Sequence, residues 1–233
     1  RDRSPSRGLG DVYKRQLFPH CCVVCGRPLA KGEECICTVC NINLPRTNYH
    51  LRKDNPVERL FWGQIPLERA TSFFFYEKGS DFRLILHRLK YGGQKEIGAI
   101  MGRYMAAELL SSNFFQGIDV IIPIPLHKKK QQIRGYNQSE WIARGIAAVT
   151  GIPIDTESIL RKKNTETQTR KSVFERRDNV EGIFELQHPE TLAGKHILIV
   201  DDVLTTGSTT LACASCLVNV EGIRISILTL ATA

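Results

Sequence analysis

Residues 199–209 read Ile199-Val200-Asp201-Asp202-Val203-Leu204-Thr205-Thr206-Gly207-Ser208-Thr209, and this stretch decides the fold. The run from His196 to Val200 is apolar and β-branched, which predicts a buried parallel strand. It is expected to stop at Asp201-Asp202. Two adjacent carboxylates at a strand's end can accept hydrogen bonds from vicinal hydroxyls such as those of a ribose. The Thr-Thr-Gly-Ser-Thr turn opens a helix expected to run to about Val218, and so presents hydroxyls and backbone N–H groups at a helix N-terminus, an anion site. Gly207 lets the chain approach a phosphate closely. An aspartate pair alone says little; the ordered series of strand, Asp-Asp, apolar pair, small-residue turn and helix is specific.

Working outward, residues 119–126 (DVIIPIPL) predict a second buried strand, with Pro123 and Pro125 ending its pairing. A basic polar loop is expected over residues 127–138, containing Arg134, Gly135, Tyr136 and Asn137. A helix over 139–149 follows, with Ser139 or Asn137 as its cap. In open α/β sheets ligands bind at the carboxyl ends of strands, where this loop lies. Residues 152–160 are expected to form the next strand and 223–230 the last. The polar stretch 165–179 carries Arg170, Lys171, Arg176 and Arg177, and reads either as a cationic lid over a diphosphate or as a solvated loop. Upstream, residues 71–76 predict a strand, 81–90 and 97–110 helices, and 41–62 a linker with little regular structure. Lys90, at the end of the first of these helices, fits either a phosphate site or a cation complementing the helix C-terminus.

Six of the eight cysteines fall between Cys21 and Cys40. Cys22-Val-Val-Cys25-Gly26 and Cys37-Thr-Val-Cys40 are paired C-x-x-C turns, which converge four thiolates on one ion with Zn–S near ~2.3 Å. These four are the expected metal ligands. Cys21 and Cys35 are spares, and His20 is a conceivable alternative ligand. Such a closed site has no open position for chemistry, so the metal, zinc or iron on these ligands, is read as structural. Cys213 and Cys216 sit within the last helix and read as buried thiols rather than a redox pair.

The chain carries a formal net charge of +8, and residues 1–16 contribute three of those charges. That opening segment lacks apolar periodicity and is expected to be a non-native leader. The remaining excess suits a phosphate-rich ligand or nucleic acid, or simply a solvated basic surface. No apolar run reaches the roughly 18 residues of a membrane span, and no secretory pattern is present. A cytoplasmic location is expected. The organisation read from these features is a leader over 1–16, a zinc-binding module over 17–50, a linker with a first strand and helices over 51–118, and an α/β domain over 119–233.

IVDDVLTTGST resembles the phosphoribosyl pyrophosphate (PRPP) signature of type I phosphoribosyltransferases, a Rossmann-like parallel-sheet fold. The wider pattern resembles the ComF family of bacterial competence proteins, which join a four-cysteine zinc motif to such a domain. LFPHCCVVCG, LKYGG, PIPLHKKKQQIRGYNQSEWIA and TQTRKSVFERRDNVEGIF carry that resemblance. It implies that Asp201 and Asp202 hold the ribose hydroxyls, and that Thr205, Thr206, Gly207, Ser208 and Thr209 cradle the 5′-phosphate. It further implies that the segment with Arg134 and Gly135 takes the diphosphate, with Mg²⁺ bridging diphosphate and ribose. The implied activity is a pentosyl (glycosyl) transferase with an unknown acceptor. The alternatives are a non-catalytic accessory protein of DNA uptake, binding single-stranded DNA or other competence proteins, and a PRPP-sensing regulator.

Overall fold

Ile197, Leu198, Ile199 and Val200 are all fully buried, so the strand that contains them is covered on both faces. In the computed structural model, which describes residues 21–162 and 182–233, this strand is central to a four-stranded parallel sheet. The strands are β1 (Leu67–Phe75), β2 (Val120–Pro123), β5 (His196–Leu204) and β6 (Arg224–Thr232), in the order β1-β6-β5-β2. Register is set by apolar pairs, Ile121 opposite Leu198 and Ile199 opposite Ile227. Alternate residues of β5 feed two cores: Leu198 and Val200 one, Ile197 and Ile199 the other.

The first core is built with helices α4 (Glu96–Leu109) and α6 (Gln138–Thr150). Ile97, Met101, Met105 and Leu109 recur every fourth residue, which places them on one face of α4, and all are buried. The two helices approach through glycines. A Cβ on Gly102 would lie 2.3 Å from the Ile142 carbonyl oxygen, and one on Gly145 2.1 Å from that of Ala99. The second core lies beneath α7 (Ser208–Ser215), through Ala212, Cys213 and Ala214. The thiols of Cys213 and Cys216 are both pushed up by burial, the latter to about 11, in accord with buried packing rather than redox chemistry.

Between residues 119 and 233, four stretches depart from the sequence expectation. β5 continues through Asp201-Asp202 to Leu204, because β6 still offers partners there, Thr229 to Asp201 and Ala231 to Val203. α7 ends at Ser215 rather than near Val218. The segment expected as a basic loop forms α5 (Lys128–Arg134), capped by His127 Nδ1 accepting from the Lys129 N–H at 3.3 Å and ended by left-handed Gly135. None of its residues is buried, so no apolar period marks it in the sequence. The expected strand over 152–160 does not join the sheet beyond a single bridge from Ile154 to Ile121. Asp155 Oδ1 instead accepts from the N–H groups of Glu157 and Ser158, turning the chain. Beyond this turn the chain forms a separate antiparallel pair, β3 (Ile159–Arg161) with β4 (Phe184–Leu186).

The upstream helix is α3 (Arg83–Tyr91). The linker is more ordered than expected: α1 (Thr38–Ile42) runs into its start, and a helical turn Tyr49–Leu51 and α2 (Pro56–Arg59) lie within it. Asn55 caps α2 in a capping box and donates from Nδ2 to the Ala70 carbonyl at 2.9 Å, fixing it on β1. The cysteine segment shares the first core: Cys22, Ile36 and Leu44 belong to the same buried cluster as Phe74, Met105 and Leu109. Arg46 reinforces the join, with Nε 2.6 Å from Glu108 Oε2 and Nη1 2.5 Å from the Asn41 carbonyl.

Candidate functional site

The carboxyl ends of β2 and β5 lie side by side, and they bring most of the expected residues together. Asp201 accepts from the Ser139 hydroxyl at 2.9 Å and from the Asp202 N–H at 2.8 Å. Burial, with the Asp202 carboxylate beside it, pushes the Asp201 carboxyl up to about 7. Lys90, at the end of α3, places Nζ 3.1 Å from Asp202 Oδ1.

Past the aspartates, Thr205 and Thr206 are exposed and Gly207 turns the chain at φ +73°. The Phe61 ring stands 3.4 Å from where a Gly207 Cβ would be, an ordinary contact, so it is the positive φ that favours glycine here. Thr206 Oγ1 and Ser208 Oγ are 2.9 Å apart, and Thr209 is exposed in the first turn of α7. No side-chain cap is formed at the start of α7 among the described residues. The turn therefore presents hydroxyls and backbone N–H groups outward.

Cations lie near the aspartates: Lys90 pairs with Asp202, and Arg161 feels the Asp201 carboxylate. Lys130 is held below the ordinary lysine range by burial, then by the charges of Arg161, Arg134 and Lys90. Arg134 donates from Nη1 to Gln138 Oε1 at 2.9 Å, and its guanidinium lies 5.4 Å over the Tyr91 ring. Gly135 ends α5 at φ +79°, turning the chain toward Tyr136 and Asn137. Tyr136 donates to the Leu89 carbonyl at 2.5 Å, and Asn137 donates to the Ile124 carbonyl at 3.0 Å while capping α6 at Ser139 N–H. So residues 134–139 lock α3, β2 and Asp201 to one another. Beside them opens a cavity of about 540 Å³, walled by Pro125, Lys128, Asn137, Ile159 and Arg161. Arg170, Lys171, Arg176 and Arg177 lie outside the described residues.

Ser139 and Arg161 have roles here that their sequence context does not reveal. Ser139 reads in sequence only as a possible cap, a place Asn137 takes. Arg161 closes a three-residue strand whose antiparallel pairing has no local signature. Lys90 is marked by its place in LKYGG, without its partner.

The second centre is the cysteine cluster. The sulfurs of Cys22, Cys25, Cys37 and Cys40 all lie within 4.8 Å of one another, and Cys25 and Cys37 are 3.7 Å apart. A tetrahedral ion with Zn–S of about 2.3 Å needs sulfurs about 3.8 Å apart, so the four fit such an ion. Cys37 N–H donates to Cys22 Sγ at 3.3 Å. Burial raises the Cys22 thiol, but N–H groups of Cys25, Cys37 and Val24 outweigh it and bring it down to about 7, favouring the thiolate that binds metal. Cys21 is exposed, and Cys35 is buried with its thiol pushed up to about 12 by that burial; neither belongs to the cluster.

The chain is similar to known proteins. Residues 138–233 match the phosphoribosyl transferase domain family. Over 206 residues the chain is 32% identical to DNA utilization protein YhgH of Escherichia coli O157:H7, covering 82% of this chain and 87% of that protein. It is 31% identical to competence protein F of Haemophilus influenzae over 54% of this chain and 57% of that one. To competence protein ComFC of Bacillus subtilis it is 24% identical, over 87% and 73%. A four-cysteine cluster precedes the phosphoribosyl transferase domain, and the YhgH relative covers 82% of the chain at 32% identity; the chain belongs to the ComF family.

Proposed function

We propose that this chain binds PRPP with Mg²⁺ at the carboxyl ends of β2 and β5, and transfers its phosphoribosyl group to an acceptor with release of diphosphate. One observation carries the reading: Asp202 pairs with Lys90 at 3.1 Å, and the aspartate pair runs within two residues into the Thr205–Thr209 turn. Ribose hydroxyls suit Asp201 and Asp202. The 5′-phosphate suits the N–H groups and hydroxyls of Thr205, Thr206, Gly207, Ser208 and Thr209. The diphosphate suits Arg134, Lys130 and the backbone at Gly135. Mg²⁺ would supply charge neutralisation between diphosphate and ribose oxygens. The protein's part in such a displacement is positioning and stabilising the leaving diphosphate. Zinc on Cys22, Cys25, Cys37 and Cys40 is proposed as structural, and no helix among the described residues is long and apolar enough to cross a membrane. The test is calorimetric titration of the full chain with PRPP, with and without Mg²⁺, then an acceptor screen for diphosphate release. Absence of PRPP binding in both arms rejects the reading.

A second reading has its own support. The relatives carry names of DNA utilization and competence, and Lys128, Lys129 and Ile133 of α5 are exposed beside the half-buried Arg134. A single DNA strand on this surface would make the chain an accessory protein of transformation acting with other competence proteins.

A further inference from the structure

Lys90 lies in the last turn of α3, immediately before the exposed Tyr91 that ends it and the Gly92-Gly93 pair. Its neighbours on both sides are anchored to the 134–136 segment. The Leu89 carbonyl accepts the Tyr136 phenol at 2.5 Å within the core, and the Tyr91 ring lies under the Arg134 guanidinium at 5.4 Å. The backbone at Lys90 is therefore held in place, and the ion pair with Asp202 positions its ammonium. About a fifth of its side chain is exposed, Lys130 lies within reach of its charge, and Arg134 stacks on the adjoining Tyr91. A partly buried cation with others nearby needs an anion, and Asp202 at 3.1 Å provides one.

The same carboxylate is the one proposed to accept a ribose hydroxyl. While Lys90 holds it, part of its acceptor capacity is engaged. A ligand that takes Asp202 must release Lys90, and the released ammonium then needs another anion in the same place. A diphosphate attached to the ribose carries that anion with it; the sugar phosphate without it does not. We infer that Lys90 is a displaceable counter-ion which exchanges Asp202 for the ligand's diphosphate, making the site selective for ribose phosphates that bear a diphosphate. This rests on the PRPP reading above and adds a binding residue and a source of selectivity to it.

The exchange is tested with Lys90→Met and Lys90→Arg in the full chain. Each is titrated in Mg²⁺ with three probes: PRPP, ribose 5-phosphate and inorganic diphosphate. Lys90→Met is expected to weaken PRPP and diphosphate at least tenfold, and to leave ribose 5-phosphate unchanged or tighter, since its competitor for Asp202 is gone. Lys90→Arg is expected to keep most of the PRPP affinity. Equal weakening of ribose 5-phosphate and PRPP overturns the inference, because a mere support for Asp202 would act on both. Unchanged PRPP affinity in Lys90→Met overturns it too. Thermal denaturation reports whether the variant folds; should Lys90→Met fail to fold, Lys90→Gln, of similar length and neutral, carries the same comparison. A wild-type chain that binds no PRPP sinks the underlying reading and this one with it, whereas wild-type binding with an unaffected variant sinks this one alone.

Discussion

Lys90 Nζ lies 3.1 Å from Asp202 Oδ1, while the adjacent Asp201 takes its hydrogen bonds from Ser139 and from a backbone N–H. Two adjacent carboxylates thus sit in different surroundings: buried Asp202 is paired with a cation, and half-buried Asp201 takes its hydrogen bonds beside its neighbour's charge. Desolvation and that neighbouring charge raise the Asp201 carboxyl.

The first expectation concerns Asp201, whose carboxyl is raised from 3.8 to about 7. Between those values the folded chain binds a proton that the unfolded chain has lost. Stability contributed by this group is therefore full below about pH 4 and is lost as pH rises toward 7. Asp201→Asn should flatten that part of the stability profile, measured by denaturant melts from pH 5 to 8. PRPP, which needs the carboxylate to accept hydroxyls, should bind with proton release below about pH 7. Calorimetry in two buffers of different ionisation heat reads this directly; identical heats in wild type and Asp201→Asn would refute it.

Removing both charges tests the site itself. Asp201→Asn with Asp202→Asn should weaken PRPP more than tenfold, about 1.4 kcal/mol or more, through loss of charge-assisted bonds to the ribose. Lys90 would also lose its counter-ion, so thermal melts must accompany the titration. Unchanged affinity in a folded double variant would remove the aspartates from the ligand site.

The parallel sheet and the signature turn are legible in the sequence because apolar strands and a Thr-Gly-Ser turn leave local marks. The contacts that complete the site leave none: Lys90 is marked in the sequence, but its partner is not. Lys90 and Asp202 are 112 positions apart in sequence, and their meeting depends on how α3 packs against the sheet. α5 reads as a loop because exposed lysines and glutamines form a helix without an apolar stripe. The cysteine ligand set is legible through its doubled spacing, yet its fusion with the main core is not, since Ile36 and Leu44 reveal their partners only once folded.

That fusion leads to the next expectation. One zinc per chain should be found, lost in Ser variants of Cys22, Cys25, Cys37 or Cys40 and kept in Cys35→Ser. Because the cysteine segment shares the core of α4 and β1, chelation should lower the melting temperature of the whole chain in a single transition rather than melt a separate unit. Metal analysis together with calorimetry checks both points. Zinc loss in Cys35→Ser with full zinc in Cys37→Ser would reassign the ligands.

The approach of α4 to α6 leaves no room at Gly145, where a Cβ would stand 2.1 Å from the Ala99 carbonyl oxygen. Gly145→Ala must push the helices apart. Overpacking of this kind costs about 1–3 kcal/mol, and each kcal/mol lowers the melting temperature by roughly 2–4 °C in a chain of this size. Since α6 carries Ser139, the shift should also loosen Asp201 and weaken PRPP in the folded fraction. Melting and titration of the variant decide it; a neutral Gly145→Ala would contradict the helix contact.

Any DNA binding is expected to be electrostatic and independent of sequence. Lys128 and Lys129 are exposed on α5, whereas Lys130 is half-buried within reach of the charges of Lys90, Arg134 and Arg161. A phosphate backbone lying on this helix would meet the first two and end against the cations proposed for diphosphate. Single strand and PRPP should therefore compete. Affinity for the strand should fall with salt, with a slope of about −0.7 for each phosphate neutralised. Lys128→Gln with Lys129→Gln should reduce the slope by about 1.4, two contacts' worth, while sparing most PRPP affinity. Adding Lys130→Gln should weaken both ligands, because that residue sits where the two surfaces meet. Fluorescence anisotropy of a labelled oligonucleotide across a salt series, with and without PRPP and Mg²⁺, measures all of these. A salt-insensitive, sequence-selective signal indifferent to PRPP would place the strand elsewhere, with the basic residues Arg27, Lys31 and Arg46 of the cysteine segment as the next surface to test.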